Sequence, residues 1–163
     1  NMTFLTNNYE RTAKGSQYLK FAPNDKATIR IISKPIEGIE VWKDSKPLRW
    51  KLSGEMPKEA YTSDDIPKPF AAFGVWHYEE GAYKIYQCST RSVLMEIANL
   101  ADVVGDPLSF DITITRKGAG LDTKYYVKPS EPKELTKEVL AAAQEFEANV
   151  DLEALFTGEN PFK

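Results

Sequence analysis

The alternation of apolar and polar residues predicts a chain built mainly from β-strands. Residues 110–116 place Phe and Ile on one side and Asp and Thr on the other, and residues 27–33 alternate around Ile29 and Ile31. Because successive strand residues point to opposite faces, this period of two indicates half-buried strands. Extended structure resumes at residues 39–42 after Pro35, so we expect the first strand to be long and strongly curved.

A second strand signal surrounds a short polar turn at residues 79–82. Runs rich in aromatic and β-branched residues flank this turn, and Gly81 can supply its left-handed conformation, so residues 70–90 are predicted to form a β-hairpin. Residues 124–128 alternate again and predict a last strand.

Two segments have helical spacing instead. Apolar residues recur every three or four positions from Thr90 to Val104, and again from Leu135 onward. The order is therefore three strands, a helix and two strands, which is the order of the five-stranded OB-fold barrel, followed by a C-terminal helix. We divide the chain into an OB-fold domain at 1–130, with an N-terminal arm, and an acidic C-terminal helix and tail at 131–163.

The hairpin carries the main candidate site. If Val75 and Ile85 face the core, the opposite face presents aromatic rings beside an ammonium group, and such a surface can stack bases and meet phosphates. This interpretation assigns base stacking to Trp76, Tyr78 and Tyr86 and a phosphate contact to Lys84. In the alternative interpretation, both faces are covered and these aromatics belong to the core.

Cations and aromatics elsewhere extend the candidate surface. The connection at 43–69 is predicted to be a long irregular loop, and its first part interleaves cations with an aromatic residue. Together with the turn at residue 117 and the last strand, it adds the phosphate candidates Lys43, Lys46, Arg49, Lys51, Arg116, Lys117 and Lys128 and the stacking candidates Trp50 and Tyr126.

Charge distribution supports a polyanion partner more than net charge does. The chain carries a formal charge of −3. Residues 1–130 hold 18 basic and 16 acidic side chains, whereas residues 131–163 hold 3 basic and 8 acidic ones. The segment 14–51 alone has nine basic against four acidic residues. A basic body with an acidic end suits a polyanion binder, and an ordinary mixed surface with a charged terminal helix is the alternative interpretation.

The residue inventory argues against several other classes. One cysteine, Cys88, and one histidine, His77, are too few for a zinc site, so no metal and no cofactor are expected. The acidic residues are scattered over different predicted elements, so we expect no enzyme activity and consider a hydrolase only as a rival. No apolar run approaches the length of a membrane span, and no membrane partner is expected.

An ordered set of short segments resembles the single-stranded DNA-binding proteins of bacteriophages. The segments are YLK (18–20), KATIRIIS (26–33), PIEG (35–38), KP (46–47), FGVW (73–76), DITITR (111–116), GLDT (120–123) and NPF (160–162). The resemblance covers most of the chain. It implies an OB-fold protein that coats transient single-stranded DNA during phage replication, repair and recombination, without sequence preference, in the cytoplasm of the infected bacterium.

Two partner classes follow from these observations. Single-stranded DNA is the expected ligand, and replication or recombination proteins are candidates for contact through the C-terminal region. The rival function is an OB-fold protein-interaction module that uses the same aromatics and the C-terminal helix without binding nucleic acid. The C-terminal helix is expected to pack within the chain through one apolar stripe, although a second protomer or a partner could also cover it. This stripe consists of Leu135, Val139, Leu140, Ala143 and Phe146.

Overall fold

The computed structural model describes residues 16–163. The strands in this part of the chain are β1 (Lys26–Ile31), β2 (Ile36–Lys43), β3 (Lys46–Lys51), β4 (Lys68–His77), β5 (Ala82–Cys88), β6 (Asp111–Lys117) and β7 (Lys124–Pro129). The helices are α1 (Arg91–Val103), α2 (Lys137–Asn149) and α3 (Ala154–Thr157). Most of the predicted N-terminal arm, residues 2–15, lies outside the described residues.

The protein is mainly β, with one antiparallel sheet in the order β3-β2-β4-β1-β6-β7 and β5 paired to β4. One edge of β4 pairs with β2 along residues 68–72 and with β1 along residues 75–77. The two strands thus follow one line, as expected for a single curved strand. They are separated at a bend where the Gly74 N–H donates to the Ser33 hydroxyl at 2.7 Å. In the described residues β5 and β7 do not pair, so the sheet is open.

The sequence predicted five strands, and residues 16–163 contain seven. One extra strand arises because the bend divides the long first strand into β1 and β2. The other is β3, which lies where an irregular loop was predicted, so that prediction was wrong for residues 46–51. A two-residue turn with positive φ at Asp44 (52°) and Ser45 (64°) joins β2 to β3. This is the geometry of a tight hairpin, but Asp-Ser lacks the glycine that usually signals it.

The inner face of the sheet packs against α1. Its core is formed by isoleucines of β1 and β6 together with Phe73, Tyr86 and Phe110, and Val93 and Leu100 of α1 close it. The predicted helix after Thr90 is confirmed, and Thr90 occupies its N-cap position. This layer leaves the outer faces of β1, β6 and β7 on the opposite side of the sheet.

A second core lies on the outer face of β4 and β5, where α2 and α3 cover the sheet. Val139, Phe146 and Leu155 pack there against Phe70, Trp76 and Ile85. The Thr136 hydroxyl caps α2 by accepting the N–H of Val139 at 3.3 Å. The C-terminal stripe is therefore covered within the chain, as the sequence led us to expect. Leu135 and Leu140, which the sequence assigned to the same stripe, are 37% and 47% exposed, so that assignment was wrong for these two residues.

Gly74 is needed for this docking. A Cβ atom at this position would lie 2.6 Å from Cζ of Phe146, far inside van der Waals contact. A strand interior normally disfavours glycine, because glycine offers no side chain to pack. At position 74 the missing side chain is what lets the α2 ring approach the sheet.

We expect Gly74→Ala to destabilise the protein by about 1–3 kcal/mol, the usual cost of overpacking a tight core. Urea unfolding followed by circular dichroism measures the loss. Combining Gly74→Ala with Phe146→Leu should recover part of it, because the shorter side chain vacates the space. If Gly74→Ala unfolds at the wild-type midpoint, α2 does not depend on this glycine.

Candidate nucleic-acid interface

The register of the β4–β5 hairpin differs from the one that the sequence suggested. Val75 pairs with Lys84, and Trp76 pairs with Tyr83. Directly opposite residues share a face, so Lys84 lies on the side of Val75, and Ile85 lies on the side of Trp76. The prediction that Val75 and Ile85 face one way together was therefore wrong.

Three of the four hairpin candidates are buried. Trp76 is 6% exposed beneath α2, and Tyr86 is 5% exposed in the inner core, where its ring meets Phe73 edge-on with 5.6 Å between centroids. Lys84 is 3% exposed and forms an ion pair with Glu80 at 2.8 Å. These three side chains cannot contact a nucleic acid in this fold. Both faces of the hairpin are covered, so the alternative interpretation of a core hairpin is the correct one for them.

The cations of the β2–β3 hairpin are largely engaged within the protein. Arg49 forms a nearly buried ion pair with Glu40 at 2.8 Å and lies 4.1 Å above the ring of Phe70. Lys51 pairs with Glu153, which follows α2, at 2.7 Å.

The remaining candidates of this hairpin, Lys43, Lys46 and Trp50, differ in the exposure of their side chains. Lys43 donates to the Glu59 carbonyl oxygen at 3.0 Å, and Trp50 is only partly exposed. Lys46 is exposed. The basic segment found in the sequence therefore supplies few available charges.

The outer face of β1, β6 and β7 differs from the two hairpins because all of its lysines are exposed. One row of neighbouring side chains across β1, β6 and β7 consists of Lys26, Thr115 and Tyr126, in that order. The next row consists of Thr28, Thr113 and Lys128. Lys117 faces Lys124 where β6 meets β7. We call this surface the lysine face; it consists of Lys26, Lys117, Lys124, Tyr126 and Lys128, all exposed, with Tyr126 55% exposed.

The positive charges of the lysine face are not neutralised by ion pairs in the described residues, and the carboxylate bound beside the face is that of Glu79, which accepts the Thr28 N–H at 2.9 Å. Within residues 16–163 none of its four lysines forms an ion pair with a carboxylate. Lys117 and Lys124 are directly opposite each other, and like charges in that position destabilise a sheet. A bound anion would remove this repulsion. The arrangement therefore favours a ligand with several negative charges and flat apolar groups that can stack on Tyr126.

Two lysines of this face were missed from the sequence, and Arg116, which was predicted as a phosphate contact beside Lys117, is not part of it. Lys124 shares the alternation of Tyr126 and Lys128, so that signal was available. Lys26 joins the face through its pairing with Thr115, which one sequence alone does not reveal. Arg116 points to the inner side and donates to the Phe21 carbonyl oxygen at 2.7 Å, so it was wrongly assigned to phosphate binding.

Tyr78 borders the lysine face and is held in place. Its backbone N–H donates to the Thr28 carbonyl oxygen at 3.0 Å, and its hydroxyl donates to Oδ1 of Asp111 at 2.8 Å. Burial, this hydrogen bond and the charge of Asp111 raise the pKa of Tyr78 to about 12. The phenol therefore remains protonated, and its partly exposed ring has a fixed position next to Thr28.

Asp111 connects this tyrosine to a buried ion pair. Arg30 is almost fully buried, and its Nε donates to Asp111 at 2.8 Å. Lys133 reaches the other carboxylate oxygen at 2.9 Å. Burial alone would raise the pKa of Asp111, but hydrogen bonds from Lys133, Tyr78 and Arg30 hold it below its ordinary value. The Asp111 carboxylate on β6 thus connects Arg30 on β1 with Tyr78 at the edge of the lysine face.

Residues 16–163 contain no group of three His, Cys, Asp or Glu side chains able to hold a metal ion. Cys88 is buried, and burial raises the pKa of its thiol. His77 lies 3.3 Å from Glu79 and 3.4 Å from Glu80, and burial together with the charge of Lys84 lowers its pKa more than these carboxylates raise it. In this same part of the chain, no helix is long and apolar enough to cross a bilayer.

No protein-family model matches the chain, and no curated protein matches it either.

The Asp111 network predicts a specific dependence of stability on pH. The folded-state pKa of Asp111 lies below its ordinary value of 3.8, so the ionised carboxylate stabilises the fold above that pH. This contribution is lost as the pH falls through the folded-state pKa. Asp111→Asn should cost about 3–5 kcal/mol at pH 7, because Arg30 is left buried without its partner. It should also flatten the acid side of the stability curve.

Urea unfolding of both proteins between acid and neutral pH measures this effect. The exposed carboxylate of Asp102 on α1 offers a matched control, and Asp102→Asn should retain the wild-type curve. An unchanged acid slope in Asp111→Asn would show that the network does not contribute to acid unfolding.

Proposed function

We propose that this protein binds single-stranded DNA without sequence preference through the lysine face, and that it is not an enzyme. The observation that supports this most strongly is the group of four exposed lysines around Tyr126, none of which is ion-paired in the described residues. Lysines along a strand surface can track a phosphate backbone, and an exposed aromatic ring can stack a base. Neither contact reads a particular sequence, because every base has a π-face.

A single strand fits this face better than a duplex. Stacking on Tyr126 and Tyr78 needs bases whose faces are accessible, and in a duplex those faces are stacked on their neighbours. The lysine face is also small, since it spans only the three adjacent strands β1, β6 and β7. Both properties favour local contacts with a flexible strand.

The order of elements supports the same proposal. If β1 and β2 are counted as one bent strand, then β4, β5, α1, β6 and β7 follow in the OB-fold order, with β3 as an addition. OB-folds commonly bind oligonucleotides on the second and third strands, which correspond to β4 and β5. Here α2 and α3 occupy that surface, so we place the DNA on the neighbouring strands, next to the β6–β7 loop.

The sequence resemblance supplies the biological setting of the proposal. In this setting the protein coats transient single strands during phage replication, repair and recombination in the bacterial cytoplasm. Replication or recombination proteins would then meet the C-terminal region, where Glu138, Glu145 and Glu147 are exposed on α2. No cofactor enters this function.

The rival proposal, a protein-interaction module, has one observation in its favour. A mainly apolar cavity of about 620 Å³ lies between α1 and the bend that separates β1 from β2. Its walls include Ile31, Pro35, Phe73, Leu94, Met95 and Ala98. Apolar concavities of this size often accept ligands or partner side chains. This rival predicts partner capture without affinity for DNA.

Neutralising the lysine face should weaken DNA binding and its dependence on salt. Each phosphate contact with a single strand contributes a slope of about −0.7 in log K against log salt, so replacing all four lysines by Gln should reduce the slope by roughly 3. Fluorescence anisotropy on a labelled oligo(dT) strand at several salt concentrations measures both quantities.

The control removes the same charge elsewhere. Lys34, Lys58, Lys68 and Lys137 are exposed outside the lysine face, and their fourfold Gln variant should keep most of the wild-type slope. Equal slopes in the two variants would mean that net charge, not this face, governs binding. Absence of DNA binding by the wild-type protein would favour the interaction module.

Tyr126→Ala should remove one stacking contact, which is typically worth about 1–3 kcal/mol, or about 5- to 150-fold in affinity. Tyr126→Phe should bind nearly as well as the wild type because it keeps the ring. Tyr61, which is exposed in the connection before β4, provides a control as Tyr61→Ala. If both alanine variants bind alike in the anisotropy assay, Tyr126 is not a stacking residue.

A further inference from the structure

The loop between β6 and β7 presents one apolar side chain to solvent. Leu121 is fully exposed at the centre of a short 3-10 turn, Gly120–Asp122, beyond the last strand pair. A single exposed leucine is common on protein surfaces and needs no function by itself. Leu121 differs from an ordinary exposed leucine in two respects, the contacts that hold its loop and the lysines that flank it.

The loop that carries Leu121 is held by a set of contacts. The Gly118 N–H donates to the side-chain oxygen of Asn24 at 3.2 Å, and the Asp122 N–H donates to the Ala119 carbonyl oxygen at 3.1 Å. A Cβ atom on Gly118 would lie 2.7 Å from the Asp122 carbonyl oxygen, so the loop folds closely on itself. Leu121 is therefore presented in a defined position, and little conformational entropy would be lost when it binds.

Positive charge flanks the same loop. Lys117 and Lys124 are opposite each other at its base, and Asp122 is the only acidic residue between them. If a phosphate of the DNA lies between these two lysines, the bases on either side of it are brought next to the loop. An apolar side chain placed there meets the step between two neighbouring bases.

We propose that Leu121 inserts between two successive bases of the bound strand and unstacks them, while Lys117 and Lys124 hold the phosphate between those bases. This inference rests on the proposed function. Leucine is among the side chains that proteins use as apolar wedges between base steps. The contact is independent of sequence, as are the lysine contacts beside it.

The test uses single strands that contain 2-aminopurine flanked by adenines. The fluorescence of this base is quenched when it stacks on its neighbours and rises when it is unstacked. Saturating wild-type protein should raise the fluorescence. Leu121→Ser should still bind the strand, because the lysines remain, but the rise should be smaller by roughly half or more. Leu121→Phe should retain the rise, since an aromatic ring can also insert.

Controls separate this inference from the function on which it rests. Val103→Ser removes a similarly exposed apolar side chain from α1 and should behave as the wild type. Leu121→Ser should unfold at the wild-type temperature, because Leu121 makes no buried contact. If Leu121→Ser binds and raises the fluorescence as the wild type does, the wedge is overturned and DNA binding stands. If the wild type itself does not bind in the anisotropy assay, the proposed function fails first.

Discussion

The fold depends on how one buried guanidinium group is satisfied. Besides its contact with Asp111, Arg30 donates from Nη1 to the Leu108 carbonyl oxygen at 3.1 Å and from Nη2 to the Lys133 carbonyl oxygen at 3.2 Å. Burying a cation without partners would cost several kcal/mol, so each of these acceptors is needed. They come from β6, from the turn before it and from the segment that leads to α2. One side chain on β1 thereby fixes the path by which the C-terminal region leaves the sheet.

That path decides which surfaces remain open. The segment after β7 passes Arg30 and delivers α2 to the outer face of β4 and β5, where Phe146 packs over Gly74. Phe70 and Trp76 become core residues as a result. Phe73 and Tyr86 are buried on the other face of the hairpin, in the core that α1 closes. α2 and α3 contact β3, β4 and β5, whereas Lys124, Tyr126 and Lys128 on the outer face of β7 stay exposed. The path of the segment after β7 thus explains both the position of α2 and the exposure of the lysine face.

The sequence predicted local structure well and spatial relationships less well. Alternation identified the strands around Ile112 and Tyr126, and helical spacing identified α1, because both patterns are carried by consecutive residues. Hairpin register is different, since a shift of one residue moves every side chain to the other face. The prediction placed Ile85 on the face that Lys84 occupies and Lys84 on the face that Ile85 occupies. The face that α2 would cover depends on Arg30 and on the small size of Gly74, and neither effect is visible as a periodic pattern.

Charge placement explains why the most basic segment of the sequence is a weaker candidate than the lysine face. Cations on β3 lie near carboxylates: Glu40 pairs with Arg49, and the C-terminal region brings Glu153 to Lys51. Lys26 and Lys128, in contrast, have threonines as cross-strand neighbours, and neither lysine forms an ion pair within residues 16–163. Exposed charges are screened beyond about 8 Å at physiological salt, so the acidic residues of distant elements affect this face little. A chain with a net charge of −3 can therefore present a locally positive surface, and it is this local charge that a phosphate backbone would meet.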